Sequence, residues 1–226
     1  QRATRREGSP LIREHDGKER ETGIFMPAPK TFKTMTGRTV MAPDPATADK
    51  RPLKARQMVG GAGSPFVPTG NPLADCIGPS SYAERPDIPD ITFENKTRIV
   101  PMRIATDFTI ADRDPDPRGM TVVGADGKTA GKIVEAWVDR SEFILRYLEL
   151  ETEGATPRRV MIPMNFANID KTGRKVRISA LLASQFSGVP ALKSQDQITF
   201  LEEEKVMGYF GGGLLYATPD RQEPLL

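Results

Sequence analysis

Apolar and polar residues alternate along the second half of the chain in a pattern typical of β-strands. Val134, Ala136 and Val138 fall on one face of a predicted strand, whereas Trp137 and Asp139 fall on the other. The Asp-Gly pair that follows Ala125 predicts a hairpin, because both residue types tolerate positive φ. The fold class predicted is mainly β, a small antiparallel barrel or sandwich. The alternation places its strands at residues 120–123, 128–134, 133–139, 143–151, 159–164 and 175–179.

Two short helices are predicted near the C-terminus. One covers residues 180–186. The other begins at Thr199, which forms a capping-box pattern with Glu202, and extends to about Tyr209. The glycine triplet at 211–213 is predicted to stop this helix, as a chain reversal or a close-packing feature. It does not predict a phosphate-binding loop, because neither a lysine nor a helix start follows it.

The first half of the chain differs in its proline content. Twelve of the 20 prolines lie in the first hundred residues, which favours extended and irregular backbone over helices or central strands. Residues 1–24 are polar with mixed charges, which predicts a disordered arm. Residues 25–101 carry too much proline for a compact core, yet enough apolar residues to lie against the second half or a partner. The β-rich region is placed at 102–182 and a helical segment with its tail at 183–226.

Composition excludes several classes of function. The net charge is +2, from 32 basic and 30 acidic residues, so a polyanion such as nucleic acid is not the expected partner. The lone cysteine, Cys76, cannot form an internal disulfide, which fits a reducing compartment. No run approaches the roughly 18–20 apolar residues that span a bilayer, and the start does not resemble a signal peptide. The sequence as printed therefore predicts a soluble chain.

Candidate catalytic residues are scarce, and most of the chemistry available is carboxylate. The single histidine, His15, lies in the polar arm and is distant in sequence from Cys76, which weighs against metal, Ser–His or Cys–His chemistry. Acidic residues that alternate with apolar ones normally mark the solvated face of a half-buried strand, and we expect Glu149 and Glu151 to lie on such a face. The acidic residues in question are Asp87, Asp90, Glu94, Asp139, Glu142, Glu149, Glu151 and the triplet at 202–204.

A set of motifs in one fixed order covers nearly the whole chain. These motifs are REGSPL at 6–11, PKTF at 29–32, PTGNPL at 68–73, GPSSYAER at 78–85, IVPMRIATDFTIADRDPDPRGMTVVGADG at 99–127, WVDRSE at 137–142, RYLELE at 146–151 and DQITFLEEEKVMGYFGGGLLYATP at 196–219. In these motifs and in their order the chain resembles the H subunit of the purple-bacterial photosynthetic reaction centre.

The resemblance implies a small antiparallel β-barrel of the PRC type, shared with a ribosome maturation factor, at 102–182. It implies a juxtamembrane-like arm at 1–24 and an extended segment lying on partner subunits at 25–101. It further implies a non-catalytic cap on the cytoplasmic face of the photosynthetic membrane, peripheral in this form. Such a cap stabilises the L and M subunits, shields their quinone sites and conducts protons to the secondary quinone.

The resemblance also implies where cofactors and partners lie. No cofactor is expected on this chain itself. Bacteriochlorophyll, bacteriopheophytin, quinones and non-haem iron are expected in the L and M subunits. Lipid head groups, the light-harvesting antenna and a separate transmembrane helix chain are further candidate partners, and nucleic acid is not.

Three residues carry over from the family's proton-relay cluster. Glu142 matches the inner relay carboxylate, while Asp139 and Arg146 match the acid and base beside it. Interacting carboxylates suit proton transfer, because close like charges raise some pKa values and split titration into coupled steps. A carboxylate beside an arginine is also consistent with a plain ion pair.

The predicted entry point for protons departs from the family pattern. Some members carry an aspartate and two histidines where this chain has Thr92, Glu94 and Lys96. Histidine matches neutral pH better than a carboxylate does. Either Glu94 replaces these groups, with Asp90 or Asp87 nearby, or protons enter elsewhere.

The family's single transmembrane helix should come immediately before the basic segment with Arg2, Arg5 and Arg6, and the printed sequence does not contain it. The two alternatives are that this helix has been removed or that a separate chain supplies it.

Two other classes of protein stay open. A free-standing barrel module of the ribosome-maturation type would favour a basic surface, but residues 118–156 hold seven acidic and five basic residues. A hydrolase with paired carboxylates would need a substrate cleft.

Overall fold

The computed structural model describes most of the chain, in two compact units that divide between Gly70 and Asn71. The predicted arm at 1–24, with Arg2, Arg5, Arg6 and His15, lies outside the described residues. The four-part division of the chain stays a prediction. The described residues are 29–42, 44, 46, 50–59 and 64–222.

The first unit contains two small antiparallel ribbons. Strand β1 (Lys30–Lys33) pairs with β2 (Thr39–Ala42), and β3 (Ala55–Gln57) pairs with β4 (Phe66–Pro68). A two-stranded ribbon is marginally stable in water by itself. These ribbons and their flanks nevertheless expose large apolar side chains, and this surface is available for contacts. The exposed side chains are Phe32, Met35, Val40, Met41, Leu53, Met58, Val59 and Phe66.

The second unit is built around one sheet of seven strands, which confirms the mainly β fold. In space the order is β10-β11-β6-β7-β8-β9, and β5 also pairs with β7. All pairings are antiparallel except β6 with β11, which run parallel. Among the described strands no hydrogen-bonded pair joins β9 to β10, so the sheet is not closed into a barrel. The strands are β5 (Ile99–Pro101), β6 (Thr121–Val123), β7 (Thr129–Asp139), β8 (Ile144–Thr152), β9 (Arg159–Pro163), β10 (Ala167–Asp170) and β11 (Lys175–Ile178).

The end of β7 is buried on both faces. Its register against β8 shifts twice, once after Ile133 and once after Trp137, as at β-bulges, and residues 137–139 also pair with β5 on the other edge. Trp137, Val138 and Asp139 are all buried, although alternate residues of a strand point to opposite faces. An acidic side chain therefore lies inside the protein, at the point where β7 meets its turn.

One α-helix, α1 (Phe200–Tyr216), belongs to the second unit and packs against its core. Its start confirms the predicted capping box, because the Glu202 N–H donates to Thr199 Oγ1 at 3.2 Å and the Thr199 N–H donates to Glu202 Oε2 at 2.9 Å. The prediction that the helix stops at the glycine triplet is wrong. The helix continues through residues 211–213, and the triplet serves close packing instead.

The glycines allow α1 to lie directly on neighbouring backbone. A Cβ on Gly213 would overlap the carbonyl oxygen of Ala180 and lie 2.6 Å from Leu181 Cδ2. A Cβ on Gly212 would overlap the side chain of Ser80. The requirement for close approach therefore outweighs the low helix propensity of glycine here.

The other predicted helix is shifted and tighter than expected. Residues Ala183–Gly188 form a 3-10 helix, and its Phe186 packs against the Phe210 ring of α1 at 6.1 Å between centroids. In the part of the chain that the structure describes, no helix combines the length and apolar character needed to cross a bilayer.

Candidate functional site

One arginine, Arg98, joins three carboxylates of the second unit. It lies immediately before β5, whose pairing with β7 brings it beside Asp139. Its Nε donates to both carboxylate oxygens of Asp139, at 2.9 and 3.0 Å. Its Nη1 donates to Asp90 Oδ2 at 3.0 Å, and its Nη2 donates to Glu142 Oε1 at 2.5 Å. The guanidinium is thus the centre of an acidic cluster.

The turn between β7 and β8 determines where Glu142 lies. Asp139 Oδ1 accepts the backbone N–H groups of Ser141 at 2.9 Å and Glu142 at 3.1 Å, which is the local bonding that aspartate offers at turns. The turn is completed by Phe143 in the left-handed region, at φ 58°. Because Asp139 binds both the turn backbone and Arg98, it fixes Glu142 next to the guanidinium.

Burial and hydrogen bonding determine the pKa values of Asp139 and Arg98. The Asp139 side chain is fully buried, whereas that of Arg98 is 24% exposed. Burial alone would raise the pKa of Asp139, but hydrogen bonds from Arg98 and from the two turn N–H groups outweigh it, so the pKa lies below its usual range. Hydrogen bonding to Asp139 in turn raises the pKa of Arg98. Both groups therefore keep their charges at neutral pH.

A cleft of about 710 Å³ opens beside this cluster. It is lined by Asp90, Arg98 and Asp139, by Arg146 and Tyr147 of β8, and by a face of α1 that includes Glu203. The Tyr147 hydroxyl donates to Glu203 Oε2 at 2.7 Å. Burial raises the pKa of Glu203, which makes it a carboxyl able to hold a proton nearer to neutral pH than an ordinary glutamate.

The structure brings together four of the six predicted site residues. Asp90, Asp139 and Glu142 meet at Arg98, and Arg146 Nη1 lies 3.6 Å from Glu142 Oε2. Asp87 lies instead at the start of α1, where it accepts the Thr199 hydroxyl at 2.9 Å and pairs with Lys193. The sixth residue is Glu94, which belongs to a neighbouring turn.

Glu94 is exposed and pairs with Lys96 at 2.7 Å. The hydrogen bond and charge of Lys96 lower the pKa of Glu94. A second depression, of about 580 Å³, is lined by Thr92, Glu94 and Lys96 together with Arg140 and Phe143 of the β7–β8 turn. The predicted proton-entry turn and the turn that carries Glu142 therefore border one open surface.

Sequence reasoning missed Arg98 altogether and gave no role to Glu203. Arg98 and Asp139 are 41 positions apart, and only the pairing of β5 with β7 reveals their contact. The prediction that Glu149 lies on a solvated strand face is also wrong, because it is buried and accepts the Trp137 Nε1–H at 3.1 Å. Glu151 keeps a half-exposed side chain, as the alternation predicts.

Metal ligation has no support in the part of the chain that the structure covers. No group of three or more histidine, cysteine, aspartate or glutamate side chains among the described residues could hold a metal ion. The carboxylates of the cluster are held by a guanidinium, and hydrogen bonding and proton exchange are the chemistry that this arrangement offers.

Comparison with protein families gives two matches along the chain. Residues 1–104 match the N-terminal region of the photosynthetic reaction centre H-chain. Residues 109–183 match the PRC-barrel domain. A free-standing barrel module accounts for the second match but not for the first. The Arg98 cluster spans both matched regions, since Asp90 and Arg98 belong to one and Asp139 and Glu142 to the other.

Proposed function

Because the chain belongs to the photosynthetic reaction centre H-chain family, we propose that it conducts protons from the cytoplasm to the secondary quinone. On this proposal it caps the L and M subunits on the cytoplasmic face of the membrane, stabilises them and shields their quinone sites from water. The pigments, quinones and non-haem iron lie in those partner subunits. The chain itself makes and breaks no bonds other than those to transferred protons.

The observation that carries the proposal is the Arg98 cluster with its cleft. Full reduction of a quinone to a quinol takes up two electrons and two protons, and the protons must cross a region from which bulk water is excluded. A row of ionisable groups linked by hydrogen bonds and ordered water allows proton hops without an open channel. Asp90 and Glu203 line one open cleft, and Glu142 pairs with Arg98 and Arg146, which line the same cleft.

The members of the cluster suit different roles. Asp139, whose pKa is lowered, holds a fixed negative charge that orients Arg98 and the turn. Glu142 is half-exposed between Arg98 and Arg146, so its carboxylate is accessible to water and we assign it the transfer step. Glu203 is the group that retains a proton to higher pH. Protons enter, on this proposal, by the surface between Glu94 and the β7–β8 turn.

The exposed apolar residues of β1 to β4 support the proposed contact with partner subunits. A monomeric surface rarely concentrates so many large apolar side chains without a partner. Extended segments commonly bind by laying backbone and alternate side chains along a surface. These ribbons therefore suit attachment to the L and M subunits.

Glu142→Gln tests the proton route. In the assembled reaction centre we expect the proton-coupled second reduction of the secondary quinone to slow roughly tenfold across about pH 6–9, because glutamine cannot carry a proton. This is less than a general acid or base typically contributes, since Asp90 and Glu203 remain in the cleft. Flash-induced absorbance kinetics measure the rate.

Glu151→Gln is the matched control for this variant. Glu151 is half-exposed on β8 as Glu142 is half-exposed in its turn, but its ion-pair partner is Arg159, which is outside the Arg98 cluster, so its replacement should leave the rate unchanged. The first reduction of the secondary quinone should be unaffected in both variants. Equal second-reduction rates in Glu142→Gln and wild-type complexes would rule out the assigned transfer step.

A further inference from the structure

Tyr147 makes the hydrogen bond that joins strand β8 to helix α1 beside the cleft. Its side chain is 3% exposed and its hydroxyl donates to Glu203 Oε2 at 2.7 Å. A buried tyrosine hydroxyl needs a hydrogen-bond partner, and a charged acceptor makes the stronger bond. The two residues are 56 positions apart, so this contact exists only in the assembled fold.

Glu203 shares the cleft with ionisable groups from several segments, among them Arg85, which pairs with Glu204 at 3.3 Å. Arg146 approaches from β8, and Asp90 and Arg98 from the segment before β5, while Glu204 neighbours it on α1. Arg146 and Arg98 favour the charged form of Glu203, whereas Asp90 disfavours it. Among these groups Tyr147 is the neutral one, and its hydrogen bond fixes the position of a single carboxylate oxygen.

We propose that Tyr147 is a positioning residue, whose hydroxyl holds the Glu203 carboxylate in the cleft as a second proton carrier in addition to Glu142. This inference rests on the proposed function, because it assigns Glu203 to the same proton route. Tyr147 is not itself a carrier, since burial raises the pKa of its hydroxyl far from neutral pH.

The physical effect of the hydroxyl follows from the balance at Glu203. Burial raises the pKa of Glu203, and the hydrogen bond from Tyr147 opposes that rise by stabilising the carboxylate. With the bond, the pKa of Glu203 rises less than burial alone would raise it. Without it, the carboxyl would retain its proton to higher pH and release it less readily.

Tyr147→Phe removes the hydroxyl and conserves the ring. In the full chain, with glutamate side chains labelled with ¹³C, we expect the NMR titration midpoint of Glu203 to rise by about one pH unit, the size expected for a hydrogen bond to a charged group. Glu203→Gln identifies the resonance. Tyr209→Phe is the matched control, because the Tyr209 hydroxyl is buried but donates to the Gln185 carbonyl at 2.9 Å.

Kinetics in the assembled reaction centre complete the test. In Tyr147→Phe, the pH at which the second-reduction rate begins to decline should rise by the same amount as the Glu203 midpoint. In a protein that already carries Glu203→Gln, adding Tyr147→Phe should not change that pH. An unmoved Glu203 midpoint would overturn the inference. A moved midpoint with an unmoved pH profile would also overturn it, while leaving the proposed function intact if Glu142→Gln still slows the reaction. Normal kinetics in Glu142→Gln and Tyr147→Phe together would overturn the proposed function.

Discussion

Arg98→Met is expected to lower the free energy of unfolding of the chain by about 3 kcal/mol at neutral pH. The substitution leaves the fully buried Asp139 carboxylate without the guanidinium that binds both of its oxygens. Breaking a buried ion pair by removing one partner is costly, because the remaining charge is neither solvated nor compensated. The figure lies at the lower end for such changes because Arg98 is 24% exposed.

The loss of stability should depend on pH. The folded-state pKa of Asp139 lies below its ordinary value of 3.8, so the stabilisation it provides is present above pH 3.8 and is lost as the pH falls through the lowered value. In Arg98→Met only the two turn N–H groups still oppose the effect of burial, so the pKa of Asp139 is higher than in wild type and the variant loses less stability as the pH falls. The difference between wild type and variant should therefore shrink as the pH drops below 3.8.

Urea unfolding followed by the fluorescence of Trp137, the single and fully buried tryptophan, measures this difference. Arg146→Met is the matched control. Arg146 pairs only loosely with Glu142, and both side chains are nearly half-exposed, so its loss should cost no more than about 0.5 kcal/mol. Equal costs for the two variants, or a cost for Arg98→Met that does not vary with pH, would contradict the central role of Arg98.

Gly213→Ala is expected to destabilise the chain by about 2 kcal/mol, although alanine is the better helix former. The added methyl group would overlap the backbone carbonyl oxygen of Ala180, which cannot move without displacing the chain beside it. The steric cost should exceed the gain of about 1 kcal/mol in helix propensity. Thermal or urea unfolding gives the value directly.

Gly211→Ala provides the comparison within the same triplet. Its Cβ would meet only the Pro79 carbonyl oxygen, at 3.2 Å, a contact that a small shift can relieve. We expect its stability to lie within about 1 kcal/mol of wild type, because the propensity gain offsets the mild crowding. If Gly213→Ala proved as stable as Gly211→Ala, close packing would not explain the glycines.

Local sequence patterns were sufficient for much of the β-rich unit. Alternation of apolar residues predicted the main strands, and the Asp-Gly pair marks the turn between β6 and β7, where Gly127 has φ +74°. The Thr199 capping box was equally predictable, because both of its partners lie within four residues. Each of these features depends on near neighbours in the sequence.

The predictions that proved wrong concern residues whose contacts are distant in sequence. The local sequence at the glycine triplet predicts the end of a helix. The close approach of the triplet to Ser80 and Ala180 instead requires glycine within the helix. Glu149 belongs to an alternating strand, yet the indole of Trp137 lies against it inside the sheet. In both cases a tertiary contact overrides the local preference.

The residues of the candidate site also fall into two groups, those that the sequence predicted and those that only the fold reveals. Resemblance to a family predicted Asp139, Glu142 and Arg146, because they belong to two neighbouring motifs, WVDRSE and RYLELE. Arg98 and Glu203 come from distant segments that only the fold unites with those motifs. A cluster of this kind is recognised by its partners in space.

The parallel pairing of β6 with β11 ties the beginning of the β-rich region to its end. Strands β6 to β9 follow one another as a local meander, whereas β11 emerges from the ribosome long after β6. One edge of β6 therefore stays unpaired during synthesis, and contacts between strands so far apart in sequence are slow to form. Helix α1, which supplies Glu203, is translated later still. The cleft can therefore form only after nearly all of the described chain has been made.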